Sequence, residues 1–243
     1  MAFDTNRGWA SGAAGAEIDL GLRRHMLKVY NTMAGGTALT GLVAALLVDT
    51  GAVDLFFSLG PRGASLNALG WLALLAPFLM ILGLGVGIGR VRASTAAGLF
   101  WGVSALMGVS LAPVFLEYTG ASLARVFFVT AASFGGLSLW GYTTRRPLDA
   151  LGSFMVMGLW GLVVAGLVNV FLQSPAVYFV TSVAAVIVFA GLTAWDTQKI
   201  KDIYDPRDDA ETAGKKAVLG ALSLYLDFVN MFMALLRFFG DRR

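Results

Sequence analysis

Seven stretches of this chain, each 19 to 24 residues long, are free of charge or interrupted by a single acid. They cover 29–48, 68–89, 93–116, 126–144, 150–172, 176–195 and 217–236, the last broken only by Asp227. About 20 apolar residues at 1.5 Å rise each cross a hydrocarbon core of about 30 Å. Strands of a membrane barrel would instead alternate in segments of about ten residues, and none do. Charged residues make up 14% of the 243 residues, against roughly 25% in soluble domains. The expectation is an all-α polytopic membrane protein with seven transmembrane helices, which excludes a water-soluble enzyme, a coiled coil and a disordered tail protein.

Lys and Arg in the short connections set the orientation. With the N-terminus in the cytoplasm, thirteen basic residues fall inside and five outside, so a cytoplasmic N-terminus is expected. Three of those five, Arg237, Arg242 and Arg243, sit at the end of the chain, and a re-entrant seventh segment would place them inside. The first 28 residues hold acids and bases but no apolar core of a signal peptide, and residues 1–22 read as a cytoplasmic tail. Residues 23–243 then form one membrane domain. The stretch 199–216 has ten charges that sum to zero and reads as a solvated cytoplasmic loop. His25, among Arg23, Arg24 and Lys28, reads as a solvated juxtamembrane residue. A net charge of +3 leaves no patch for nucleic acid, and with no cysteine there is no disulfide, thiolate site or Cys nucleophile.

Glycines cluster inside the spans. Gly83, Gly85, Gly87 and Gly89 in the second, and Gly98 with Gly102 in the third, have the small-residue spacing that lets helices approach closely. Pro77 and Pro113 are expected to kink their helices. The six tryptophans are partly interfacial anchors.

Two acids resist such a bland reading. Asp227 lies mid-span in LSLYLDFVNMFM, where a charge costs ~3 kcal/mol or more and turns inward. At about 100° per residue, Ser223, Asp227, Asn230 and Arg237 share an arc of about 80°. That stripe suits a central seventh helix facing a water-accessible interior. Asp196 closes the sixth run in GLTAWDTQKI, with Ser182 and Thr193 on its face; it could pair with Lys199 or sit among headgroups. The two acids meet if Lys199 and Lys201 snorkel, or if the seventh helix begins before residue 217. Facing each other in low dielectric, they cannot both ionise comfortably, so a shared proton would hold the helices together and its loss would repel them. The oxygens could also take a hard cation transiently.

GLTAWDTQKIKDIY at 191–204 and GALSLYLDFVNMFMALLRFFG at 220–240 resemble the signature segments of the Bax inhibitor-1 family. VFFVTAASFGGLSLWGYTT at 126–144 and GSFMVMGLWGLVVAGLVNVFL at 152–172 are similar to its bacterial members. The likeness runs from about Leu22 to Gly240. It implies a bundle of six helices around a central seventh, and a proton-sensitive calcium leak in a bacterial inner membrane. It further implies that an acid pair at the positions of Asp196 and Asp227 shares protons and latches the pore. The resemblance also implies that Arg237, matching a basic residue of the family's seventh helix, closes the outer side by ion pairing, with Asp49, Asp54 and Glu117 as conceivable partners. An arginine of the second helix near the pair has no internal match here; only Arg90, at the cytoplasmic end, could serve, and positive-inside anchoring is its ordinary role.

The resemblance also implies another class of function, a non-conducting regulator that binds a membrane AAA-type protease or another membrane partner through residues 1–22 and 199–216. An intramembrane aspartyl protease also uses two acids on adjacent helices, but here Leu224, Tyr225 and Leu226 precede Asp227 in place of Gly-x-Gly, and no Pro-Ala-Leu element follows. No nucleotide loop, zinc spacing or serine triad is present, and no enzyme activity and no cofactor is expected, calcium being a permeant ion.

Overall fold

The computed structural model describes the backbone of residues 5–60 and 63–243, and the side chains of 20–58 and 65–243. Seven long helices run up and down: α1 (Thr5–Asp49), α2 (Ala68–Gly87), α3 (Ala93–Glu117), α4 (Gly120–Thr143), α5 (Asp149–Leu172), α6 (Pro175–Asp202) and α7 (Ala210–Phe239). All seven are long and apolar enough to cross a membrane. Between α1 and α2 lie a 3-10 turn at Ala52–Leu55 and two short antiparallel strands, β1 (Phe57–Gly60) and β2 (Gly63–Leu66), paired Phe57 to Leu66. Val53 and Phe57 of this segment bury against Ala112 of α3. The tail expected over 1–22 lies partly outside the described residues; from Thr5 the backbone is continuous with α1.

Helix α7 is the most buried of the seven and packs on α1, α3, α4 and α6. Helix α2 lies outside α3, and α5 lies outside α6 with most of its residues exposed. The reason is visible in composition: α7 puts Gly214, Ala217, Gly220, Ala221 and Ala234 among its larger buried residues, so neighbours approach it from every side. Phe154, Trp160, Val164, Leu167 and Phe171 of α5 face outward, as apolar side chains do toward lipid.

Turn chemistry fixes the connections. Asn67, Thr119, Ser174 and Asp209 cap the N-termini of α2, α4, α6 and α7, each accepting from a backbone N–H three residues on. Pro175 occupies the first turn of α6, where no N–H is needed. Gln173 ends α5 in the left-handed region at φ 48°. Pro77 sits inside α2 and frees the carbonyl of Ala73, four residues back; Ser110 of α3 donates to that oxygen at 3.2 Å.

Several expectations need correcting. The stretch 199–216 is mostly helical: α6 continues to Asp202 and α7 begins at Ala210. Asp196 therefore lies six residues inside α6 and does not close it. Helix α7 is not re-entrant. Its start meets α3, where Glu211 accepts from Ala93 N at 2.6 Å, and its far end docks on the α3–α4 turn at the other end of the bundle. There Thr119 N donates to Asp241 O at 3.1 Å, and Tyr118 bridges to Arg242. His25 is 8% exposed, not solvated, because the α6–α7 connection folds over it and lays Tyr204 at 5.6 Å. The glycines at 83, 85, 87, 89 and 98 make no close helix contact, since a Cβ there would meet nothing within 4 Å. Gly102 does approach a neighbour, with a Cβ 2.9 Å from Met80 Cε.

Candidate functional site

Helices α6 and α7 approach closely at Gly220, where a Cβ would stand 3.0 Å from Ile200 Cγ1. Running antiparallel from that contact, the helices bring Asp196 beside Ser223, whose hydroxyl faces its carboxylate. Asp227 lies one turn beyond Ser223, about 6 Å along the axis. Its side chain is 5% exposed, and Oδ2 has no hydrogen-bond partner among protein groups. The charged group that acts on Asp227 is Asp196, so two acids face each other across one helix seam.

Neighbours on three sides hold Asp196 in place. Thr197 is fully buried and bonds Ser138 of α4 at 2.9 Å, and Ser138 in turn bonds the Tyr30 hydroxyl of α1. Gln198 accepts from Leu148 N at 2.7 Å and donates to Arg146 O at 3.0 Å, tying α6 to the α4–α5 turn. Trp195 lies against Gly152 of α5 and donates to Asp149 at 3.2 Å. Lys199, the cation that acts on Asp196, sits 4.8 Å over the Trp195 ring. These partners satisfy the polar residues after Asp196 and let α6 run on through them.

The remaining residues of the expected site lie elsewhere. Asn230 is exposed, donates to Leu226 O at 2.8 Å, and lines a cleft of about 240 Å³ between α5, α6 and α7. Arg237 lines the same cleft with its guanidinium 5.1 Å over the Tyr178 ring. No described carboxylate pairs with it, contrary to the partners considered from sequence; Glu117 is held by Arg242 at 3.0 Å. Arg90 is exposed in the α2–α3 turn and is not among the charges that act on either acid. The structure thus gathers Asp196, Asp227 and Ser223, and leaves Arg90, Arg237 and Asn230 apart from them.

Among the described residues no three His, Cys, Asp or Glu side chains converge as a metal site. Two carboxylates offer at most four oxygens, whereas calcium takes about six to eight. Any cation here would keep water ligands.

Sequence reasoning passed over a second buried polar contact. Tyr225, two residues before Asp227, has no exposed surface, and its hydroxyl lies 2.7 Å from Thr40 Oγ1 of α1. Thr40 also lies 2.8 Å from Ser104 O and 2.9 Å from Gly36 O, so it donates to main chain and accepts from Tyr225. A tyrosine two residues from a mid-span acid, about half a turn round the same helix, was the available signal.

The sequence matches, over residues 22–243, a family model described as inhibitor of apoptosis-promoting Bax1. It is 45% identical over 227 residues to an uncharacterized protein of Rickettsia prowazekii, covering 93% of each chain. An uncharacterized protein of Caulobacter vibrioides is 43% identical over 247 residues, covering 99% of each. The inner membrane protein YbhL of Escherichia coli K12 is 41% identical over 227 residues, covering 92% of this chain and 94% of its own.

Proposed function

The chain belongs to the Bax inhibitor-1 family, and from that premise we propose that it is a pH-regulated calcium leak of a bacterial inner membrane, gated by Asp196 and Asp227. The observation that carries the reading is Asp227, buried on the central helix, with one oxygen unpartnered and an acid as its charged neighbour. A carboxylate in that position costs too much to be kept for packing alone. When both acids are ionised, α6 and α7 repel across the seam; a proton shared between them removes the repulsion. Two states of one helix contact, biased by protons, are the elements of a gate. The N-terminus is assigned to the cytoplasm by the excess of basic residues at its end of the bundle.

The test is calcium flux into proteoliposomes from pH 5 to 8, comparing wild type with Asp227→Asn. The expected result is a flux that changes with pH in wild type and a flat or displaced profile in the variant. If wild type passes no ion at any pH, the leak reading fails and capture of a membrane partner, such as an AAA-type protease, becomes the reading to pursue.

A further inference from the structure

Helices α1 and α4 both pack on α7 but barely on each other. Between them a groove of about 530 Å³ opens sideways toward lipid, within the size range of small-molecule sites. Its lining includes Leu27, Gly135 and Leu139, the half-buried Tyr30 and the buried Ser138, and the exposed Arg23. From Arg23 to Tyr30 is about 10 Å along α1, most of the depth of one leaflet. The groove therefore runs from the exposed Arg23 to about two-thirds of a leaflet's depth at Tyr30.

Its chemistry is graded along that length. Arg23 is exposed, no carboxylate among the described residues lines the groove, and Lys201 donates to the O of Tyr142, a lining residue, at 3.0 Å and so adds a second cation beside it. Deeper in, the Tyr30 and Ser138 hydroxyls bond each other, and Ser138 bonds Thr197. An alkyl chain lying over them strands no donor. At Gly135 a Cβ would meet nothing within 4 Å, so the wall there is empty space.

We propose that this groove binds one anionic phospholipid of the membrane it spans, with the phosphate on Arg23 and an acyl chain over Tyr30 and Gly135. Basic pockets between transmembrane helices recognise acidic headgroups, and the apolar wall selects an acyl chain over a soluble phosphate. A bound lipid bridges α1 and α4 beside the hydroxyl chain that reaches α6 through Thr197, independently of whether the acid pair gates a leak.

The experiment is native mass spectrometry of the full-length protein, released from micelles containing phosphatidylglycerol and phosphatidylcholine in equal amounts. Wild type retains one phosphatidylglycerol, preferred by about fivefold, as one basic residue near the headgroup supplies. Arg23→Gln brings the preference to near parity, and Gly135→Leu removes both lipids by filling the groove. Arg145→Gln, a basic residue at the same end but outside the groove, keeps the wild-type pattern. Equal retention of the two lipids by wild type overturns the proposal, as does unchanged retention by Gly135→Leu, or a second protein chain found bound in place of lipid. If Gly135→Leu fails to fold, the loss of headgroup preference in Arg23→Gln still decides the matter.

Discussion

Helix α4 crosses α6 at Gly141, where a Cβ would stand 2.2 Å from the carbonyl oxygen of Ala194, two residues before Asp196. The atom in the way is backbone and cannot swing aside, so the position of Asp196 depends on this glycine. Gly141→Ala should separate α4 from α6 at a cost of ~1–3 kcal/mol, the usual range for overpacking. Gly83→Ala should be neutral or slightly stabilising, because a Cβ there meets nothing and alanine is the better helix former by ~0.5–1 kcal/mol. Thermal unfolding of the two variants in detergent separates these outcomes; equal effects would mean that the close crossing does not exist.

The connection between α6 and α7 supplies a control for the pH response. Arg207 Nε donates to Asp205 Oδ1 at 3.0 Å and Nη2 to Oδ2 at 2.8 Å, holding that partly exposed carboxyl well below its usual range. A carboxyl held low when folded contributes stability above its unfolded value, and loses it only as pH falls through the lower folded value. The pair thus stays ionised throughout pH 5 to 8. Asp205→Asn should leave the pH profile of calcium flux unchanged over that window, while Asp227→Asn alters it. A displaced profile in Asp205→Asn would move pH sensing from the helix seam to the connection.

His25 gives a prediction against its sequence context. Its ring is buried beside Tyr204, with Nε2 unpartnered, between basic residues that suggest open solvent. His25→Ala should cost ~2–4 kcal/mol through the cavity it leaves, whereas His25→Phe keeps the ring and should stay within about 1 kcal/mol of wild type. Unfolding measurements that find the alanine variant as stable as wild type would return His25 to the surface.

The seven spans and Asp227 were legible because a membrane interior punishes charge, so uncharged runs and one exception stand out in a single sequence. The depth of Asp196 was not. Gln198, Lys199 and Lys201 look like the start of a loop until Arg146, Trp195 and Tyr142 are seen to receive them. The burial of His25 was hidden for the same reason, since Tyr204 reaches it from 179 residues away. Glycine spacing misled in the opposite direction: Gly83 and Gly87 read the same whether they face a helix or lipid, and here a Cβ on either would meet nothing. The paired strands after α1 occupy two four-residue segments, too short for periodicity to register.

The docked C-terminus separates backbone pairing from surface charge. Arg243 N donates to Glu117 O at 2.9 Å, Asp241 N to Ser122 Oγ at 2.9 Å, and Thr119 N to Asp241 O at 3.1 Å. Two exposed ion pairs, Arg125 with Asp241 and Arg242 with Glu117, lie alongside. Exposed pairs contribute ~0–1 kcal/mol each, so Arg125→Ala and Glu117→Ala should hardly change stability. Three net backbone-type hydrogen bonds contribute ~0.5–1.5 kcal/mol each, and deleting residues 241–243 removes all of them together with the cover over Tyr118. At ~2–4 °C per kcal/mol for a chain of this size, the deletion should lower Tm by about 5–10 °C. The comparison is a melt of the deletion beside the two point variants. A deletion no worse than the point variants would show that the tail is held by charge alone and does not lock the end of α7 to the α3–α4 turn.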